Sequence, residues 1–536
     1  IGTNFVDTMT GDNADNVLSG LGGNDRFFGS GGNDTFIGGA GDDDRVDYDN
    51  NPAFTSIEVH LDGDNDAVVR VNGVDKDIVN GVEGIIGTDG NDIFYGDDRA
   101  NFFDGVDGDD FFVGGGGADT IDGGDGNDTV DYSQETGITS INVTLNNTTY
   151  ATVTIGGADN DQIRGIENVI GTDGNDYIAA DQSDNYIFGG AGNDTIRIHY
   201  GHDEVDGGTG TNTLQTTWYS STVTIDMSDT DIDGWFDVIY NADSNHNGIA
   251  RNFTHLSGGT GDDMFTGDAQ NNTISGGQGD DTLNGGGGND TLYGGVGRDH
   301  LNGGDGDDTI YGEGDDDYMY ASEGSDTYDG GSGGWDIVDY STLSGTSLVA
   351  VMNGGSNGSI TFTGGTKGGE TDIIRNVERI RATDENDTIT VDTRNNAIYA
   401  GDGDDHVYGL GGDDELYGEA GTDTLDYSAA TEDVYVQLNI AGGESTVTIG
   451  GTENDQISSF EIFYGGSGND TIYSDYDTTL EIYGNAGNDS MRISTENGVA
   501  YGGIGNDTIS LAWGSGHANV TAYGEDGNDT LYAHGT

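Results

Sequence analysis

The chain of 536 residues has no cysteine and a single proline, and only 15 lysines and arginines stand against 99 aspartates and glutamates. Without cysteine, folding cannot depend on oxidation, which is compatible with export. The formal net charge of −84, with only 32% hydrophobic residues, describes a self-repelling chain that should not collapse unaided and needs many bound cations to fold. The scarcity of bases excludes nucleic acid as a partner, because no basic stripe exists to meet phosphates. An anionic membrane surface is excluded on the same ground. No run of 18 apolar residues occurs, so no membrane span is expected. No signal peptide opens the chain, which starts at Ile1, and a trimmed or partial polypeptide is expected. His-Glu-x-x-His is also missing, which removes zinc-protease chemistry. Lyases and epimerases on β-solenoids need cationic groups beside an acidic sugar, and so few scattered bases argue against them.

Glycine is what the chain has in excess, with 99 residues. Most of it falls in a nine-residue phrase, Gly-Gly-x-Gly-x-Asp-x-(apolar)-x. The clearest run, Gly276 to Tyr311, reads GGQGDDTLN, GGGGNDTLY, GGVGRDHLN and GGDGDDTIY without a slip. Glycine permits the tight turn, the aspartate supplies a hard oxygen ligand, and the turn carbonyls supply more. That is the coordination calcium prefers. The apolar residue two places after the aspartate belongs to a short strand and points inward. Such a period predicts an all-β solenoid, a calcium-bound parallel β-roll.

A longer repeat of about 85 residues organises the shorter one. Nonapeptide blocks are expected at 1–46, 87–131, 171–215, 258–329, 382–426 and 465–536, the fourth of them longer than the rest. Between them lie inserts at 47–86, 132–170, 216–257, 330–381 and 427–464. Three inserts open on Asp-Tyr-Ser, at Asp131, Asp339 and Asp426, and the first opens on Asp47-Tyr48-Asp49. The third departs, with Trp218-Tyr219-Ser220. Each then alternates apolar and polar residues, as in Ile141/Val143/Leu145 and Val153/Ile155. A degenerate nonapeptide and a short apolar return follow, so the inserts read as larger coils of one solenoid. The second nonapeptide of a block is degraded in a constant way: Asn101, Asn185, Asn272 and Asn396 stand where aspartate is expected. A weaker or differently built cation site is expected there.

These phrases, repeated in register along roughly two thirds of the chain, resemble the RTX (repeat-in-toxin) family, of the large secreted bacterial surface or structural type. The resemblance implies a right-handed parallel β-roll, with the first six residues forming a calcium turn and the last three a strand. It also implies that the sixth-place aspartates ligate calcium. In the first two blocks these are Asp25, Asp34, Asp43, Asp92, Asp110, Asp119 and Asp128; in the third, Asp176, Asp194 and Asp203. The long block contributes Asp263, Asp281, Asp290, Asp299, Asp308, Asp317 and Asp326. The last two contribute Asp387, Asp405, Asp414, Asp423, Asp470, Asp489, Asp507 and Asp529. Roughly thirty copies imply on the order of twenty ions. The family further implies type I secretion by an uncleaved C-terminal signal, which is not visible before Thr536.

Other motifs carry less. Asp229-x-Asp231-x-Asp233-Gly234 and Asp243-x-Asn245-x-Asn247-Gly248 match the first half of an EF-hand loop, but Tyr240 and Thr254 stand where the bidentate carboxylate belongs. Gly-x-Ser-x-Gly at 330–334 and 354–358 is expected by accident in so glycine-rich a chain. Ninth-place tyrosines 18 residues apart, Tyr293 with Tyr311 and Tyr399 with Tyr417, should stack one coil apart at about 4.8 Å. They form either an edge-stabilising ladder or a contact surface for another copy or a surface carbohydrate. Two functions follow. The first is a non-enzymatic, calcium-dependent extracellular structural protein (rod, filament, surface layer or adhesin) that folds on calcium after secretion and self-associates. The second is a calcium-binding and secretion module of a larger secreted enzyme or toxin.

Overall fold

The computed structural model describes residues 1–134, 138–156, 160–217, 219–240, 247–438, 445–474, 479–494, 497–513 and 519–535. All helix or strand structure among them is β. The chain divides into two compact units, Ile1–Phe265 and Thr266–Thr536.

In the second unit the nonapeptide sets the pairing. Thr273–Gln278 lies parallel to Thr291–Val296, which lies parallel to Thr309–Gly314. The intervening copies form the opposite wall, Thr282–Gly287 against His300–Asp305. Each strand thus meets the strand two copies on, and two nonapeptides make one coil. Within a period of nine, these six-residue strands leave only three residues for each turn, so the strand ends reach into the glycines of the expected turn. The sharp turn falls on the fourth-place glycine, as at Gly306 with φ 127°. The eighth-place residues Ile274, Leu283, Leu292, Leu301, Ile310 and Met319 are all buried. The core is therefore one apolar side chain deep from each wall, each worth about 1.5–3 kcal/mol of burial.

The first unit repeats this plan with larger side chains. Thr8–Thr10, Arg26–Phe28 and Arg45–Asp47 stack on one wall, and Val17–Gly22 on Thr35–Ala40 on the other. Phe94 and Phe112, one coil apart, stack with ring centres 4.8 Å apart.

The inserts follow the same two walls by a different route from the expected larger coils. Each makes a three-stranded antiparallel meander: Ile57–His60, Ala67–Val71 and Val74–Asn80 in the first, Thr346–Val351, Gly358–Gly364 and Thr371–Arg375 in the fourth. The third strand pairs parallel with the preceding block, Thr35 opposite Ile78 and Thr327 opposite Ile373. The first strand pairs parallel with the block that follows, Glu58 opposite Ile93 and Val349 opposite Thr388. The degenerate nonapeptide is this third strand. Alternation of polar and apolar residues fixes a strand's faces and leaves its direction open, so the meander could not be read from it. Trp218 and the residues 241–246 of the second EF-hand-like loop lie outside the described residues.

The tyrosines stack as their spacing requires. Tyr293 and Tyr311 are 5.0 Å apart at 7°, and Tyr399 and Tyr417 are 5.0 Å apart at 8°. A longer ladder joins Tyr464, Tyr483, Tyr501 and Tyr523 at 4.4, 4.7 and 5.1 Å.

Candidate metal centres

All but two of the 25 sixth-place aspartates are buried. Burial of so many carboxylates requires partners. One oxygen has a constant partner: Oδ1 accepts the backbone N–H of the equivalent residue one coil earlier. Asp290 donates to Asp308 at 2.7 Å, Asp299 to Asp317 at 3.0 Å, and Asp387 to Asp405 at 2.8 Å. This ladder locks the coils in register. The second oxygen is different. Among the described residues, Oδ2 is buried with no hydrogen-bond partner at Asp25, Asp110, Asp128, Asp194, Asp290, Asp299, Asp308, Asp317, Asp405, Asp414, Asp423, Asp489 and Asp507.

These oxygens face a cradle lined by carbonyls. A Cβ placed on the first-place Gly189 would lie 2.5 Å from Asp194 Oδ2 and 2.8 Å from the carbonyl oxygen of Gly207, the first glycine one coil on. At Gly502 the corresponding distances are 2.5 Å to Asp507 Oδ2 and 2.6 Å to the Gly524 carbonyl. At these two copies only glycine leaves the space open, although the copy of Asp405 opens on Ala400. Among the described residues no three His, Asp or Glu side chains converge. A cation here would be held by a carboxylate and backbone carbonyls, an all-oxygen set suited to a hard, flexible ion such as calcium. Electrostatics agree. Burial, added to by neighbouring carboxylates, raises Asp110, Asp317 and Asp405 to about 8, and burial raises Asp290 and Asp299 to about 6. Without a cation these groups tend toward the protonated form.

Several sixth-place residues are built otherwise. Asp43 is displaced: its neighbour Asp44 is the buried rung that accepts the Asp25 N–H at 2.7 Å, while Asp43 is half-exposed and pairs with Arg45. The copy at 38–47 has ten residues, which moves the rung one place on. A ten-residue copy also follows Asp326, where Asp336 accepts the Asp317 N–H at 2.9 Å. Asp529 is half-buried and accepts the Asp507 N–H. In the first copy after each insert, the chain itself supplies a donor to Oδ2: Thr88 N–H to Asp92, Thr172 to Asp176, Gly259 to Asp263, Thr383 to Asp387 and Gly466 to Asp470. Asp34 Oδ2 accepts the Ser30 hydroxyl at 2.7 Å, and Asp326 Oδ2 accepts the Lys367 ammonium at 3.2 Å.

The second-copy asparagines close their turns with an amide. Asn101 Oδ1 accepts the Asp97 N–H at 2.9 Å, and Asn185 Nδ2 donates to the Glu167 carbonyl at 2.9 Å. At Asn101 and Asn185 the amide donates to a carbonyl where elsewhere an ion would sit, whereas Asn396 Nδ2 is buried with no partner among the described residues. This distinction gives a test. Asp290→Ala should remove calcium from the long block and lower affinity there. Asn272→Ala should leave calcium bound and cost about 1 kcal/mol for its hydrogen bond from Asp268 N–H. Equal calcium losses in titrations of the two variants would refute the difference.

Rungs within the inserts were missed by the nonapeptide reading. Asp77, Asp161, Asp372 and Asp455 accept the N–H groups of Asp34, Asp119, Asp326 and Asp414. Glu83, Glu167, Glu378 and Glu461 accept those of Asp44, Asp128, Asp336 and Asp423. A signal existed: each glutamate lies in an apolar-Glu-x-apolar phrase, such as Val377-Glu378-Arg379-Ile380. The insert tyrosines sit beside these rungs, Tyr340 donating to Asp372 at 3.2 Å and Tyr427 to Asp455 at 2.5 Å. In the first EF-hand-like loop, Asp231 Oδ1 accepts the Asp233 and Trp235 N–H groups, an ordinary turn.

Coils stacked through buried aspartates over carbonyl cradles define a cation-binding β-solenoid. The profile of the RTX calcium-binding nonapeptide repeat, four copies long, matches residues 1–44, 86–119, 104–134, 164–196, 257–292, 293–328, 390–425, 449–476, 495–517 and 518–535. These matches cover more than half of the chain, which therefore belongs to the RTX calcium-binding repeat family. Calcium is the ion its repeats bind. No curated protein matches the sequence. Among solved structures, the extracellular lipase LipA from Serratia marcescens is similar at 16% identity over 55% of this chain, with a TM-score of 0.14. The match spans 38% of that lipase's length.

Proposed function

We propose that this chain is a calcium-dependent extracellular structural protein, exported unfolded by type I secretion, that folds on meeting calcium and then self-associates. The observation that carries the reading is the recurrence of the partnerless Oδ2 and its carbonyl cradle in every block. Calcium is then a structural component of most of the polypeptide rather than an accessory to one site. On the order of twenty ions would offset much of the −84 charge. The reading is non-enzymatic. Both Gly-x-Ser-x-Gly phrases lie in turns between strands, with Ser332 donating to the Glu313 carbonyl, and no helix exists among the described residues to display a nucleophile. No helix there is long and apolar enough to cross a membrane.

Self-association is supported by the exterior. Tyr473 and Tyr523 are exposed, and Tyr523 continues a stacked ladder whose ring edges line the surface. Another copy or a surface carbohydrate fits such a surface, and calcium would bridge acidic walls that otherwise repel. Sedimentation and light scattering in millimolar calcium should show assembly that increases with concentration and weakens when the ladder tyrosines become serine. A stable monomer at high concentration would overturn assembly and leave the module of a larger secreted enzyme or toxin.

A further inference from the structure

The sequence holds only two lysines, Lys76 and Lys367, and both reach the same place in the repeat. Lys367 is fully buried. Its Nζ donates to the Ser322 carbonyl at 2.6 Å, to Asp326 Oδ2 at 3.2 Å and to both Asp372 oxygens at 3.0 Å. Lys76 Nζ donates to the Ser30 carbonyl at 3.4 Å. Ser30 and Ser322 occupy the second place of a nonapeptide whose sixth place is Asp34 or Asp326. In both, the next rung comes from the insert: Asp34 N–H donates to Asp77 Oδ1 at 2.9 Å, and Asp326 N–H to Asp372 Oδ1 at 3.0 Å. Each ammonium also lies over a phenylalanine ring of its insert, Lys76 over Phe54 at 4.1 Å and Lys367 over Phe362 at 4.8 Å.

The two lysines arrive by different routes. Lys76 directly precedes its rung Asp77, whereas Lys367 comes from a turn five residues before Asp372. The fifth insert supplies an internal control. Asp414 stands where Asp326 does, donating its N–H to Asp455 at 3.0 Å, but the fifth insert contains no lysine. There Asp414 Oδ2 has no hydrogen-bond partner among the described residues, whereas Asp326 Oδ2 has Lys367, the Ser322 hydroxyl at 3.3 Å and the Tyr328 hydroxyl at 3.0 Å.

We propose that Lys367 is a resident cation, standing where calcium stands between ordinary coils, while Lys76 reaches only the equivalent carbonyl. The exit of the fourth block is thereby held without metal. Loss of the Lys367 ammonium opens a divalent-cation site made of Asp326, Asp372 and the Ser322 carbonyl. The ammonium meets two carboxylates and a carbonyl, an all-oxygen set like the one calcium takes. An unpaired pair of buried carboxylates would be costly, so a replacement cation is favoured once the lysine is gone.

Crystals of the full chain grown in calcium, wild type and Lys367→Ala, test this by anomalous scattering. Ions are expected in the Asp290 and Asp308 cradles of both, and between Asp326 and Asp372 in the variant alone. A peak at that place in the wild type, or none in the variant while the ordinary cradles are filled, would overturn the proposal. Empty ordinary cradles would overturn it together with the calcium assignment beneath it. Should the variant fail to fold, hydrogen exchange of the wild type across a calcium titration decides. Residues 371–375 should gain protection at about tenfold less calcium than 291–311, a charged hydrogen bond being worth roughly that factor or more. Equal or higher calcium requirement at 371–375 would reject the resident-cation role.

Discussion

In excess chelator at neutral pH the chain is expected to lose most of its β-structure, and calcium should restore it cooperatively. A site that binds only the folded chain contributes about 2.7 kcal/mol when calcium is a hundredfold above its dissociation constant. Ten such sites reach on the order of 30 kcal/mol, well above the 5–15 kcal/mol typical of a whole domain. Among the described residues, thirteen of the sixth-place aspartates named above carry a partnerless buried Oδ2. Removing their counter-ions leaves buried carboxylates one coil apart that must either repel one another or take up protons, with a core only one side chain deep to oppose that cost. Circular dichroism is the direct readout. A full β signal in excess chelator would show that the core and the Oδ1 ladder suffice alone.

Protons should compete with calcium, and the sign of the effect is opposite in the two states. A free aspartate titrates near 3.9. Burial and neighbouring acids raise Asp110, Asp317, Asp405 and Asp414 to about 8, and Asp128, Asp194, Asp308 and Asp489 to about 7. The calcium-free folded chain therefore holds more protons than the unfolded chain between about pH 4 and 8. That stabilisation is complete below the unfolded value and disappears as pH rises through 6 to 8. In chelator, acidification from pH 8 to 5 should recover compact structure. With calcium present the order reverses. The ion must displace protons, so affinity falls as pH falls through the same window, by about tenfold per pH unit for each proton released. Calorimetry in two buffers of different ionisation enthalpy counts those protons. Affinity unchanged between pH 6 and 8, with no proton release, would contradict the geometry of the cradle.

The parts of this structure that were legible in the sequence share one property: their partners lie one coil away. The nonapeptide carries its own turn and core residue, so the inward Leu292 and the Tyr293–Tyr311 stack followed from spacing alone, whereas the hydrogen-bonded rung at Asp290 was not read from it. Reading failed where the period slipped or the partner was remote. In the run Asp42-Asp43-Asp44 three acids are adjacent, and only the one-residue bulge in the coil decides that Asp44 is the rung. Asp336 was hidden by the same extra residue. Asp372 and Glu378 serve rungs 46 and 42 residues earlier, across a meander whose strand direction the alternating pattern leaves open. The threonines that close Asp92, Asp176 and Asp387 stand at the second place, where most copies have glycine, and the spacing says nothing of their hydrogen bonds.

The meander also has a kinetic meaning. Its first strand is laid against a block that lies later in the sequence, Ile57–His60 beneath Ile93 and Val434–Leu438 beneath Thr471, while its third strand joins the block already made. Antiparallel strands joined by short turns form from local contacts and need no metal to define their order. Each meander thus offers a ready template edge in both directions along the chain. Stacking can start at any insert and spread outward, so the time to complete the array is set by the length of one block and not by the number of blocks.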